Sequence, residues 1–153
     1  MSGLAIGWVL QAAMLVTGAD AYETALKKAE ENGQPVMVLV GADWCPGCVT
    51  MKNSTIPAMA RAGQLKGVQY LTVNYDQNPT LARKLMRGNS IPQLVIFSKT
   101  DKGWHREQIT GSTSSGAVNG LIQRAVAVAV RPAATAEVKV ATDGATADKS
   151  SGN

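Results

Sequence analysis

Cys45 and Cys48, separated by two residues, are the only cysteines of this 153-residue chain. A structural disulfide stabilises a protein more as the loop that it closes grows longer, and this pair closes almost no loop. A zinc site needs four ligands, whereas the chain offers one histidine, His105, besides the pair. We therefore predict no metal site and infer that the pair alternates between dithiol and disulfide.

The residues around the pair favour a reactive Cys45. Pro46 suits the first position of a helix, which would place Cys45 at the N-cap. Unpaired backbone N–H groups and the helix dipole at that point stabilise a thiolate. Cys48, three positions later, lies on the same helix face and within disulfide reach. We predict that Cys45 is the accessible nucleophile and that Cys48 is the buried thiol that resolves the mixed disulfide.

An unbroken apolar run at residues 36–40 leads directly to this motif. Such a run, bounded by Pro35 and Gly41, is typical of a central strand that is buried on both faces. Upstream, the pattern predicts a helix with Asp20 as its N-cap, and Glu23 three residues later completes a capping box.

The helix that starts at Pro46 is predicted not to run regularly past Thr55, because Pro57 pushes Ile56 out of the helical region. A short helical piece, a strand, a helix, two strands forming a hairpin and a final helix follow, at residues 57–63, 68–74, 79–88, 94–97, 103–110 and 114–131. This order predicts an α/β fold with a central mixed β-sheet of parallel strands plus an antiparallel C-terminal hairpin, flanked by helices.

The predicted domain occupies residues 20–131, between two segments of different composition. Residues 1–19 are mostly apolar but too short to span a bilayer, so we expect no membrane span. They fit either an export signal, despite the absence of Lys or Arg before Lys27, or a first strand. We expect an exported, periplasmic protein, with a cytoplasmic one as the alternative. Residues 132–153 lack aromatic side chains and are predicted to be a disordered tail.

The chain is mildly basic, with 15 Lys and Arg against 11 Asp and Glu. The basic residues are scattered, whereas a nucleic-acid site needs a basic stripe, usually with aromatic residues beside it. We therefore expect no nucleic-acid partner.

Three stretches resemble the thioredoxin family. Residues 40–48 (VGADWCPGC) resemble its active-site segment, Ser90-Ile91-Pro92 resembles its cis-proline loop, and residues 74–79 (NYDQNP) resemble the piece between them. The similarity covers about residues 20–130. In motif it is closest to periplasmic thioredoxin-like proteins and the C-terminal domain of DsbD-type reductases.

This resemblance implies a thioredoxin fold and a thiol–disulfide oxidoreductase that acts as a monomer. Its partners would be protein thiols and disulfides together with an upstream thiol reductant. No organic cofactor or metal is expected, because the dithiol itself carries two electrons. The Ile91–Pro92 bond is expected to be cis. The residues expected to shape the site and bind substrate are Trp44, Pro46, Gly47, Ile91 and Pro92.

The direction of electron flow depends on what surrounds the sulfurs. Pro46 and Gly47 bring neither a charge nor an imidazole to them, which favours a reducing couple. An oxidant or isomerase is the alternative, as is a copper(I)-handling redox chaperone, since copper(I) suits thiolates. Trp44 is interpreted as a flat platform for a partner, or alternatively as a half-buried packing residue.

Two positions depart from the thioredoxin pattern. The family commonly carries a buried Asp six residues before the first cysteine and a buried Lys in the following strand, where this chain has Leu39 and Thr72. In the family, that pair is thought to help deprotonate the second cysteine. Asp43 is the only acid near the motif and is therefore the candidate proton relay; His105 is interpreted as a surface residue.

Overall fold

The computed structural model describes residues 18–130. The predicted C-terminal tail and residues 1–17 of the N-terminal segment lie outside this range. The export signal, the alternative first strand and the disorder of the tail therefore stay predictions.

The described chain contains four strands and five α-helices. The helices are α1 (Gly18–Asn32), α2 (Pro46–Thr50), α3 (Ile56–Arg61), α4 (Pro79–Leu85) and α5 (Ser115–Val128), and a π-helical turn (Met51–Thr55) joins α2 to α3. The strands are β1 (Val36–Gly41), β2 (Gln69–Asn74), β3 (Gln93–Thr100) and β4 (Gly103–Thr110).

The strands form one sheet in the order β2-β1-β3-β4. β1 runs parallel to β2 and antiparallel to β3, and β3 pairs with β4 as an antiparallel hairpin. The predicted mixed sheet with a C-terminal hairpin is confirmed. Because β1 lies between two neighbours in the sheet, its carboxyl end is fixed, and Cys45 follows that end by four residues.

The prediction that β1 is buried on both faces is also confirmed, since residues 36–40 are each 2% exposed or less. Met37 and Leu39 contribute to a core with α3, α5 and the π-turn. The alternate residues of β1 contribute to a second core, with α1 and α4, on the other face. Each fully buried aliphatic side chain contributes about 1.5–3 kcal/mol.

The start of α1 differs from the prediction. The helix is already formed at Gly18, so Asp20 lies inside its first turn and is not the N-cap. An N-cap residue has non-helical backbone angles, which a residue within the turn cannot have. The carboxylate of Asp20 is still placed favourably for the helix dipole.

The prediction that Pro57 pushes Ile56 out of the helical region is wrong. Ile56 has helical angles (φ −66°, ψ −44°), and its N–H donates to the carbonyl of Met51, five residues back. In an α-helix the ring of Pro57 would clash with the carbonyl four residues before it. The wider π-turn displaces that carbonyl and so avoids the clash. Burial of Ile56 and Met59 in the core, at 2% and 1% exposure, outweighs the local bias of the residue before a proline.

Candidate active site

Cys45 is the N-cap of α2, as predicted. Its backbone is extended (φ −93°, ψ 111°), and Pro46 occupies the first helical position. The Sγ atom of Cys45 accepts a hydrogen bond from the backbone N–H of Cys48 at 3.3 Å. The N-terminus of the helix thus points at this sulfur an N–H group that has no partner within the helix, an arrangement that stabilises a thiolate.

The two cysteines form a disulfide with their Cα atoms 5.2 Å apart. In this oxidised form the expected contrast in burial is absent, because Cys45 is 6% exposed and Cys48 is 4% exposed. Both pack with Ala42 and against the side chain of Ile91. The disulfide bond brings the two sulfur atoms against the same neighbouring side chains, so the exposed fractions of the two cysteines are nearly equal. The roles of the two cysteines must therefore be inferred from the other groups that surround each of them.

Two glycines allow the close packing of this site. A Cβ atom on Gly41 would lie 2.8 Å from the Cβ and 2.9 Å from the Sγ of Cys48, closer than Cβ atoms approach other heavy atoms. A Cβ atom on Gly47 would lie 3.2 Å from the Cβ of Ser112 and 3.5 Å from the Cδ of Pro92. Gly47 therefore shapes the site by letting α2 approach both the proline loop and the loop before α5.

The loop that precedes β3 completes the substrate side of the site. The Ile91–Pro92 bond is cis, and the carbonyl of Pro92 accepts a hydrogen bond from the N–H of Gly111 at 2.8 Å. Ile91 lies against Ala42 and the disulfide. Within the described part of the chain, no hydrogen bond uses the backbone N–H or carbonyl of Ile91. That backbone is therefore available beside Cys45.

Trp44 is an exposed side chain held in place by one hydrogen bond. It is 69% exposed, which rules out the half-buried alternative. Its Nε1–H donates to Oδ2 of Asp76 at 2.9 Å. The sequence reasoning gave Asp76 no role, although it lies in the stretch that resembles the thioredoxin family.

Asn74, at the end of β2, makes hydrogen bonds both to the loop that carries Asp76 and to the loop that carries Asp43. Its Oδ1 accepts from the backbone N–H groups of Asp76 (2.9 Å) and Gln77 (3.3 Å). Its Nδ2 donates to Oδ2 of Asp43 at 3.1 Å. One amide side chain therefore connects the loop before Cys45 to the loop after β2.

A cleft of about 70 Å³ opens beside Cys48. It is lined by Leu39, Gly41, Ala42, Asp43, Cys48, Val49, Lys52, Asn53, Thr72, Val73 and Asn74. The carboxylate of Asp43 is 75% exposed at its rim, with its Oδ1 3.9 Å from Nζ of Lys52. The candidate relay and Cys48 therefore face the same cleft, which has room for a few water molecules.

His105 lies away from these groups. It pairs with Ser98 in the hairpin, five residues along β3 from Gln93 at the site end. Its ring contacts Glu107 at 3.4 Å, and Arg124 holds the pKa of that carboxyl below its usual value through a hydrogen bond. Among the described residues, no group of three or more His, Cys, Asp and Glu side chains could hold a metal ion. No helix of residues 18–130 is long and apolar enough to cross a membrane.

A sequence model of the thioredoxin-like family matches residues 17–99, and the chain belongs to this family. The structure is similar to three thioredoxins. That of Thermus thermophilus is 22% identical, with a TM-score of 0.57 over 67% of this chain and 82% of the other. The thioredoxin of Fasciola hepatica is 23% identical, with a TM-score of 0.54 over 72% of this chain and 96% of the other. The thioredoxin of Trichomonas vaginalis is 24% identical, with a TM-score of 0.52 over 67% of this chain and 89% of the other. No curated protein matches the sequence.

These likenesses establish the thioredoxin fold. The fold and the close Cys45–Cys48 pair together define a thiol–disulfide oxidoreductase whose substrates are protein thiols and disulfides. Its redox group is the cysteine pair itself.

Proposed function

We propose that this protein reduces disulfide bonds in partner proteins, with Cys45 as the nucleophile and Cys48 as the resolving thiol. The observation that carries the assignment of Cys45 as the nucleophile is the hydrogen bond from the Cys48 N–H to Sγ of Cys45 at the helix N-cap. The same donor is in place to stabilise the Cys45 thiolate when the pair is reduced.

The reaction begins with the reduced pair. The Cys45 thiolate attacks one sulfur of the partner's disulfide, and the other sulfur of the partner leaves as a thiolate. The Cys48 thiolate then attacks Sγ of Cys45 in the mixed disulfide and releases the partner's second sulfur. Two electrons have passed to the partner, and the Cys45–Cys48 disulfide seen here is the product. An upstream thiol reductant restores the dithiol.

The partner binds as an extended segment across the proline loop. The free backbone groups of Ile91 support this placement, since an extended chain pairs through its main-chain N–H and carbonyl. Trp44 and Val49, at 69% and 39% exposure, offer apolar surface on either side of the cysteine motif. The partner therefore contacts both backbone and side chains before the sulfurs react.

The reducing direction is supported by Pro46 and Gly47, which bring neither a charge nor an imidazole between the two cysteines. Equilibration with glutathione mixtures, monitored by mass spectrometry, tests it. We expect a reduction potential nearer to the value of about −270 mV for thioredoxin than to the value of about −120 mV for a strong oxidant. A potential near −120 mV would instead favour the oxidant alternative. In a copper(I) titration of the reduced protein we expect no tight binding.

The proton of Cys48 leaves through the cleft beside it, with Asp43 as the relay. This step is supported by the position of both groups on one cleft and by the contacts that hold Asp43, from Asn74 and Lys52. The side chain of Asp43 is 75% exposed, whereas Cys48 is 4% exposed. We therefore expect the relay to be slow near neutral pH.

We also propose that the protein works as a monomer in an exported compartment, on the model of DsbD-type and other periplasmic thioredoxin-like proteins. The apolar stretch at residues 4–16 supports export. Cell fractionation and N-terminal sequencing of the mature protein test this proposal, and we expect a periplasmic product that has lost the first 19 to 21 residues.

A further inference from the structure

Gln93 is a fully buried polar side chain directly after the cis-proline, with 0% exposure. Its Oε1 accepts from the backbone N–H of Arg87 at 2.9 Å. Its Nε2 donates to the carbonyls of Arg87 and Ser90, each at 2.9 Å. Both donors and the acceptor of the amide are thus engaged by one loop.

That loop connects α4 to β3 and carries Ile91. Residues 87–90 are all exposed, and a loop of this kind is mobile unless it is bonded to the core. Within residues 18–130, the side chain of Gln93 supplies the hydrogen bonds found for the backbone of residues 87–91. The exposed loop is therefore fastened to the sheet by a single buried amide.

We propose that Gln93 is a positioning residue that holds the Ile91 backbone beside Cys45 and so makes the site selective for extended polypeptide disulfides. This inference rests on the proposed function. Small disulfides react with the sulfurs without pairing to the loop, so only protein substrates depend on its position. Gln93 therefore acts on substrate binding and leaves the reactivity of Cys45 unchanged.

The chemistry of the side chain explains why a glutamine fits here. A glutamate has no donor for the carbonyls of Arg87 and Ser90 and would place a buried charge against them. An asparagine is one methylene too short to reach the loop. Methionine matches the length and volume of glutamine without its donors, and the freed backbone groups of the exposed loop can bind water. Gln93→Met is therefore the informative variant, because the core that surrounds the side chain stays filled.

The test compares two substrates, insulin and 2-hydroxyethyl disulfide, with wild type, Gln93→Met and a control. Ser98→Ala is a matched control, because the buried Oγ of Ser98 on the same strand donates to the carbonyl of Ala125, away from the site. For Gln93→Met we expect kcat/KM for insulin to fall about tenfold, mostly through KM, as for loss of one net hydrogen bond or two. The rate with 2-hydroxyethyl disulfide should stay within about twofold. In the control Ser98→Ala, neither kcat/KM for insulin nor the rate with 2-hydroxyethyl disulfide should change.

An equal loss on both substrates, or no loss on insulin, would overturn the inference. Hydrogen exchange of the Arg87 amide gives a second readout that does not depend on turnover. We expect this amide to be protected in wild type and in Ser98→Ala but to exchange rapidly in Gln93→Met. Equal exchange in all three proteins would show that Gln93 does not hold the loop. If wild type reduces neither substrate, both the proposed function and the role of Gln93 in substrate binding are wrong. The exchange result still decides whether the hydrogen bonds of Gln93 hold the loop.

Discussion

Leu39 and Thr72 are register partners in the parallel pair of β1 and β2, and both line the cleft that reaches Cys48. These are the two positions at which the thioredoxin family commonly carries a buried acid and a buried lysine. Neither a leucine nor a threonine takes a proton from a thiol near neutral pH. Of the residues that line this cleft, Asp43 is the one that carries a carboxylate, and we propose it as the base for Cys48.

The first prediction concerns the pH dependence of the resolving step. A free cysteine has a pKa of ~8.5, so we expect decay of the mixed disulfide to be slow at pH 7 and to accelerate as the pH approaches that value. Asp43→Asn keeps an acceptor for Asn74 but removes the base. It should slow the decay about three- to tenfold at pH 7 and have no effect above pH ~9. Acid quenching followed by mass spectrometry measures the decay.

Asp101→Asn, in the exposed turn between β3 and β4, is the control and should match wild type at every pH. A wild-type decay that is fast and flat between pH 6 and 8, and that is unchanged in Asp43→Asn, would remove Asp43 from the mechanism.

The second prediction restores the missing acid. Leu39→Asp places a carboxyl in the cleft beside Cys48, so the decay of the mixed disulfide should become faster at pH 7 and depend less on pH. The change should lower the free energy of unfolding by about 2 kcal/mol or more, because it buries a polar group in the core. Leu39→Asn has a similar burial cost without the carboxyl. If both variants decay at the same rate, a buried acid at this position is not what the site lacks.

The third prediction concerns the anchor of Trp44. Asp76→Ala removes the acceptor of the indole N–H, so the ring should become mobile and reduction of insulin should fall about two- to tenfold. Reduction of 2-hydroxyethyl disulfide should not change, because Cys45 itself is untouched. Time-resolved anisotropy of Trp44 fluorescence, with the other two tryptophans replaced by phenylalanine, measures the mobility. An unchanged anisotropy would mean that the hydrogen bond does not hold the ring.

The fourth prediction is a matched pair of glycine substitutions. Gly41→Ala forces a Cβ atom to within 3 Å of Cys48, so it should lower the free energy of unfolding by about 1–3 kcal/mol. Gly116→Ala, near the start of α5, meets no atom closer than 3.8 Å and should raise it by about 0.5–1 kcal/mol. Urea unfolding measures both. Similar effects of the two changes would contradict the close packing of Gly41 on Cys48.

The features that the sequence predicts well are those with a local pattern. The apolar run of β1 and the Cys-Pro start of α2 each carry their structural reason within a few residues. The π-turn was not predictable in this way. The bias imposed by Pro57 is local, whereas the burial of Ile56 that overcomes it depends on helices and strands far along the chain.

The roles of the residues that support the site could not be predicted from the sequence, for a related reason. Asn74 reaches Asp43 across 31 positions, and Asp76 reaches Trp44 across 32. Gln93 bonds to a nearby loop, but nothing in the sequence distinguishes it from a glutamine exposed on a strand. Polar side chains with such partners can be assigned only once the fold has brought the loops together.

The central claim is that Cys45 attacks and Cys48 resolves. Its most direct test is to mix the reduced variants Cys48→Ser and Cys45→Ser separately with a disulfide-bonded peptide and to follow intact masses near neutral pH. Cys48→Ser should accumulate a stable one-to-one mixed disulfide on Cys45, while Cys45→Ser should form little adduct over the same time. Accumulation on Cys48 in Cys45→Ser at the same rate or faster, or the absence of an adduct from both, would contradict the account.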